Sequence, residues 1–320
     1  MDILSLGEVL IDMFPAEVGR RLTEVTAFRP KPGGAPANAA VAAARLGMHS
    51  AFIGKVGEDI FGHYLENVLR KEGVETRGMR FDEQARTTLV FIAMPDENTS
   101  EYVFYRNPGA DTRLKPAELD RQLIQESSCL HFGSLSLTEE PIRSATREAI
   151  QVARSAGALI SFDVNYRPSL WRSRSEATEG VMEVVPSVDL LKVNETELAL
   201  LTGREELETA CRSLLQHGPA VCVVTLGPKG SYFQTKRAGE FIPAFKVDTV
   251  DATGCGDAFI AGMLFQLVKD GKRLEDLSAS RLGRALRYGN AVGALTAQTL
   301  GVIPALPTAG QVDEFLQEFN

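Results

Sequence analysis

The chain has 320 residues, 44% of them hydrophobic, and a formal net charge of −8. That is enough apolar material for one large domain or two small ones. The acidic balance speaks against a general nucleic-acid or anionic-membrane binder, but leaves room for a small anion held by a local cluster of donors.

The first apolar run is Ile3–Leu6, inside the N-terminal stretch MDILSLGEVLIDMF. That stretch is short and acidic and lacks the basic segment and cleavage site of a signal peptide. Residues 12–32 read as short strands separated by Pro and Gly turns. An Ala-rich helix is predicted over 36–46, with Gly47 placed to end it. A buried strand at 51–53 precedes a helix over 60–72, closed by Gly73. Residues 87–94 and 101–106 are β-rich and joined by the turn-forming PDENTS. Then strands at 130–132, 158–162, 189–193 and 221–226 alternate with helices, of which 141–156 ends at Gly157 and 258–270 ends at Gly271.

Continuously apolar strands of this kind are covered on both faces, so the expected fold is α/β: a doubly wound, mostly parallel sheet between helix layers. The stretches at about 12–32 and 87–106 have no helices of their own and read as a small β-strand lid on a single domain, 1–320. No apolar run reaches the roughly 18 residues of a membrane span. The cysteines Cys129, Cys211, Cys222 and Cys255 form no C-x-x-C pair. A cytoplasmic chain with no membrane and no nucleic-acid partner is expected.

Asp251-Ala252-Thr253-Gly254-Cys255-Gly256-Asp257 runs directly into an apolar helix. Its glycines let backbone N–H groups converge at a helix N-terminus, where negative charge is favoured. Such a loop can hold the charge of a transferring phosphoryl group, and Asp257 at its rim can take a proton from an attacking hydroxyl. An ordinary glycine turn with an acid in the first helical turn is the competing reading. Gly33-Gly34-Ala35-Pro36-Ala37-Asn38 also opens a helix, and Asn38 offers a donor and an acceptor to a polyol. A tight turn with Pro near N1 explains it equally. It is neither a Walker A loop nor a Rossmann fingerprint.

Asp163, Asn165 and Arg167 follow one strand, and Asn194 and Glu197 follow another, at the carboxyl ends where open parallel sheets bind ligands. Asn194 with Glu197 also fits a capping box, and Arg167 fits a surface ion pair. Thr225-Leu226-Gly227-Pro228-Lys229-Gly230 and Asn290 could frame a nucleotide or be plain turn and helix chemistry. Cys255 reads as a packing residue whose thiol a helix N-terminus would acidify, and His131 as a core histidine.

Taken together, GGAPAN and DATGCGD, in this order, resemble the two signatures of PfkB-type (ribokinase-like) carbohydrate kinases, and the likeness extends to Gly7-Glu8, KVNETE, TLGPKG and NAVGALT. The resemblance implies an ATP-dependent sugar kinase with Asp257 as general base and an anion hole from the backbone of Gly254, Cys255 and Gly256. Cys255 stands where the family usually has Ala, which adds a possible site of oxidation or alkylation. Asp12, Gly33, Gly34, Asn38, Phe104, Arg106, Asn165 and Arg167 are implied to contact the sugar, and Asn194, Thr225, Gly227, Gly230 and Asn290 the nucleotide. Asn194 and Glu197 would organise Mg²⁺ through water, and Asp251 and Thr253 a monovalent cation, K⁺, as activator. A homodimer built through the lid is implied as well. The EYVFYRNPGAD stretch is similar to that of fructokinases, which favours fructose, with 2-keto-3-deoxygluconate as the alternative. A catalytically silent sugar- or nucleotide-binding member is the reading from another class, against which stand the intact Asp257, Gly254 and Gly256.

Overall fold

The computed structural model describes residues 1–96, 99–268 and 273–319. Seven parallel strands make the main sheet: β1 (Ile3–Leu6), β4 (Ser50–Gly57), β5 (Glu75–Asp82), β8 (Cys129–Gly133), β9 (Leu159–Asp163), β10 (Leu190–Asn194) and β11 (Val221–Thr225). An antiparallel hairpin, β12 (Gly230–Gln234) and β13 (Gly239–Pro243), extends one edge. The spatial order is β13-β12-β11-β10-β9-β8-β1-β4-β5. From β1 the chain first builds outward to β5, then returns to β8 and builds the other way. The strand order therefore reverses between β1 and β8, where a doubly wound sheet opens a crevice at its carboxyl ends.

The strands are apolar on both faces because both are covered. Leu4, Leu6, Leu191 and Val193 pack with one helix layer, including the helices Ile142–Ser155 and Leu207–Leu215. Ile3, Leu190, Val221 and Val223 pack against the other, including Cys255–Val268 and Ala279–Thr296. Phe132 and Phe162 stack at 4.6 Å in the first layer. Burying such a side chain is worth about 1.5–3 kcal/mol.

The expected helices form close to their predicted bounds, at Ala35–Arg45, Ile60–Lys71 and Ile142–Ser155. Gly47, Gly73 and Gly157 follow them in left-handed conformations, as helix-ending glycines do. The fourth helix starts earlier than predicted, at Cys255, and is described to Val268; the expected end at 269–271 lies outside the described residues. The strand β5 and the hairpin β12–β13 carry no strong apolar run and were not foreseen.

A second sheet has the order β3-β2-β6-β7, from β2 (Leu10–Pro15), β3 (Phe28–Gly33), β6 (Leu89–Asp96) and β7 (Thr99–Tyr105). Two residues of the expected PDENTS turn, Glu97 and Asn98, lie outside the described residues. One face of this lid carries Leu10, Phe14, Val90 and Ile92, with Met94 and Phe104 against them. Among the described residues no helix is long and apolar enough to cross a membrane.

Candidate active site

A cleft of about 1050 Å³ lies between the lid and the carboxyl ends of the main strands. Its floor is set by two helix starts. The Ala-rich helix begins after Gly34, whose φ of +105° and contact with the Glu8 carbonyl, 2.6 Å from any added Cβ, leave room for glycine alone. The second helix begins after Gly254, at φ +76°, where a Cβ would meet the Val302 side chain. Gly262 faces Val292 and Gly289 so closely that the helices Cys255–Val268 and Ala279–Thr296 pack almost backbone to backbone. This fixes the N-terminus that presents Asp257.

Asp257 is buried, and Asn38 Nδ2 donates to its Oδ2 at 2.8 Å. Burial pushes the Asp257 carboxyl from 3.8 to about 7, against the Asn38 hydrogen bond, with the Asp163 charge adding to the rise. A carboxylate with its pKa near neutrality is matched to general-base work. Asn38 was expected to hold a sugar hydroxyl; its Nδ2 donates to the base, while its Oδ1 has no partner among the described residues and the residue lines the cleft.

Gly254 and Gly256 line the cleft, but Cys255 does not. The Cys255 N–H donates to Ala252 O at 3.3 Å and its Sγ lies 3.8 Å from Asp251 O. Burial, then the Asp251 and Asp257 charges, push its thiol up to about 12. The helix-terminus acidification expected from sequence is overridden, so Cys255 is a poor nucleophile.

At one end of the cleft stand Glu8, Asp12, Gly34 and Asn38, faced by Leu10, Val90, Ile92 and Phe104 of the lid. Gly33 lies against the Asp12 carboxylate rather than in the cleft wall. Burial and the neighbouring Asp257 raise Asp12 to about 7, and Arg167 counters them. Asn165 adopts φ +40° at the end of β9, a left-handed turn that Asn tolerates. Arg167 follows it into the cleft, 5.9 Å from the ring of Tyr102 on the lid.

Arg106 is the clear departure from expectation. It is 3% exposed and donates to Asp111 Oδ2 at 2.7 Å, Thr138 Oγ1 at 2.9 Å and Leu135 O at 3.0 Å. It anchors the end of β7 to the main domain and does not line the cleft.

Of the residues expected to contact the nucleotide, Asn194 and Thr225 line the cleft, whereas Gly227, Gly230 and Asn290 do not. Gly230 packs against Ile242 O at the start of β12. Asn290 donates to the carbonyls of Ile242 and Pro243, tying its helix to β13. The capping box is real: Asn194 Oδ1 accepts from Glu197 N, and Glu197 Oε2 accepts from Asn194 N. Glu197 Oε1 accepts from Tyr166 N at 2.7 Å, which joins the box to the turn after β9. With both oxygens engaged, Glu197 fits an outer-sphere role toward a hydrated cation, and no cluster of three or more acidic, His or Cys side chains fit to hold a metal exists among the described residues. The Asp251 oxygens accept from Thr253 N and Gly301 N, both at 2.9 Å, so its side chain shapes the glycine loop that precedes Asp257.

Sequence reasoning missed Lys192, which lines the cleft with its Nζ 2.7 Å from Asp163 Oδ2. The signal was a lysine inside the otherwise apolar run LLKV, where a cation stands only with a partner or a purpose. His131 is a core histidine as expected, bonded to Ser161 and lowered to about 4 by burial.

The pfkB family carbohydrate kinase pattern matches residues 1–309. Probable fructokinase-3 of Arabidopsis thaliana is 44% identical over 99% of this chain and 91% of its own. A fructokinase from Xylella fastidiosa with bound ATP superposes with a TM-score of 0.92 at 32% identity, over 99% and 98% of the two chains. A Vibrio cholerae fructokinase bound to fructose, ADP and calcium ion gives 0.89 at 31% identity over 98% of each chain; a double mutant of it was solved with fructose, ADP and potassium ion. The two helix-borne loops, the buried Asp257 between them and the match over nearly the whole length lead to one assignment: the chain belongs to the pfkB family of carbohydrate kinases.

Proposed function

We propose that the chain is an ATP-dependent fructokinase, converting fructose to fructose 6-phosphate. Asp257 takes the proton of the sugar hydroxyl as its oxygen attacks the γ-phosphorus. The bond from that phosphorus to the β,γ-bridging oxygen breaks and ADP leaves. The backbone at Gly254 and Gly256 and the dipole of the helix they open receive the charge on the transferring group. Arg167, whose charge bears on both Asp12 and Asp257, bridges the sugar and phosphate ends.

The observation that carries the substrate is the commitment of Arg106. A site for a sugar acid needs a cation dedicated to the carboxylate. Arg106 is buried against Asp111, the charge of Arg167 is shared between Asp12 and Asp257, and the rest of the sugar end is built of acids, amide and apolar lid residues. That lining suits a neutral polyol, and the named fructokinases among the relatives support the same reading. The 2-keto-3-deoxygluconate alternative is not favoured. A coupled ADP-release assay across fructose, 2-keto-3-deoxygluconate, ribose, glucose and adenosine tests this: fructose should lead, and a higher kcat/KM for the sugar acid would replace the substrate.

Asn194 and Glu197 would organise the water shell of a Mg²⁺ brought by the nucleotide, which would supply charge neutralisation to the phosphates. K⁺ would act beside Asp251 and Thr253, ordering the anion loop. The metal ions in the Vibrio cholerae structures support both in kind. Val103 and Tyr105 are exposed on the lid, at 41% and 65%, and support a homodimer formed there.

A further inference from the structure

Lys192 lines the cleft beside the glycine loop that precedes Asp257. It is the third residue of β10, buried on a strand whose other interior residues are apolar. Its Nζ donates to Asp163 Oδ2 at 2.7 Å. An ammonium has three donors, and among the described residues no other acceptor takes the remaining two. A Cβ built on Gly256 would lie 3.3 Å from Nζ, so the ammonium stands directly beside the glycine loop that opens the helix of Asp257. Both residues line the same cleft.

We propose that Lys192 is a catalytic residue whose ammonium contacts the transferring phosphoryl group from the strand side, opposite the helix N-terminus, with Asp163 as its positioning residue. This rests on the kinase reading above but not on which sugar is the acceptor. A lysine whose only role is structural has no need to lie against the anion loop with donors unspent. The charge logic fits the reaction: negative charge spreads over the phosphoryl oxygens as the bond to the bridging oxygen lengthens, and a fixed cation in a dry site stabilises that state more than the ground state. Lys192 keeps its protons throughout, since the hydroxyl proton goes to Asp257. The carboxylates of Asp163, Glu197 and Asp257 outweigh the effect of burial and hold the Lys192 pKa above its usual value, so it is charged at neutral pH.

The test compares Lys192→Met, Lys192→Arg and the double variant Lys192→Met/Asp163→Asn, the last removing the buried carboxylate that the single Met would leave unpaired. With whichever sugar the wild-type chain phosphorylates, Lys192→Met should lower kcat about 100-fold, the scale of losing one donor to a developing charge. The KM for ATP should move little, Lys192→Arg should recover part of the loss, and the double variant should remain as slow as the single one. Titration with ADP and aluminium fluoride, a mimic of the planar phosphoryl group, should show the same loss while ADP alone binds as before. That titration needs no turnover, so a wrong sugar assignment leaves it standing. Recovery of wild-type kcat in the double variant would overturn the proposal, as would undiminished fluoride-complex affinity in a folded Lys192→Met.

Discussion

Asp257→Asn should make the protein a far poorer catalyst and a more stable fold, and the two effects have one cause. The side chain keeps its size, and an amide oxygen can still accept the Asn38 hydrogen bond. What goes is a buried negative charge. Burial raises the carboxyl from 3.8 to about 7 in the folded, unliganded protein. That gap is about 3 units, each worth 1.36 kcal/mol, so the ionised form costs the fold at most about 4 kcal/mol. The sign follows from proton counting. Between about pH 4 and pH 7 the native state holds a proton that the unfolded chain has lost, so stability falls as pH rises through that window. The substitution removes the dependence, so its benefit should be near zero at pH 4, partial at pH 5.5 and full at pH 8. Urea unfolding of both proteins at those three pH values measures it. Without its base the enzyme should lose about 10²–10⁴ in kcat, with a much smaller change in KM. Equal unfolding midpoints at pH 8 would refute the burial argument, and near-wild-type turnover would remove Asp257 from the role of base.

Asn38→Ala should shift the acidic limb of the kcat/KM–pH profile upward, because the hydrogen bond it removes lowers the Asp257 pKa; an unmoved limb would return Asn38 to a purely sugar-binding role. Asp12→Ala should weaken sugar binding by about 1–3 kcal/mol with little effect on ATP, and equal weakening of both would mark a folding defect. Arg106→Met should destabilise the fold by about 3–5 kcal/mol, because Asp111 is left buried and unpaired, without changing the ratio of kcat/KM between fructose and 2-keto-3-deoxygluconate. A changed ratio would put Arg106 back in the sugar site. K⁺ should activate relative to choline buffer, and identical rates would argue against a monovalent site at the anion loop.

The parts of this enzyme that a sequence declares are those where one residue type has few uses. Gly34 and Gly254 are legible because a left-handed backbone opening a helix admits little else. The apolar runs of β1, β8, β9 and β10 are legible because only a doubly covered strand tolerates them. Side-chain allegiance is a different matter, because it depends on residues far apart in the chain. Nothing near Arg106 announces that Thr138 and Leu135 will take its donors; with Asp111 only five residues away, the bland ion pair was available and the lid position hid it. Asn38 meets Asp257 across 219 positions, so its bond to the base appears only when the two helix starts converge. Lys192 and Asp163 are adjacent only because β9 and β10 pair with Lys192 opposite Asp163. Yet a lysine within an apolar central strand already breaks the pattern that defines such strands, and a buried charge is expensive without a partner. The violation is the signal. Where a sequence otherwise consistent with its fold breaks its own rule inside the sheet and at its carboxyl end, the break belongs to the chemistry performed there.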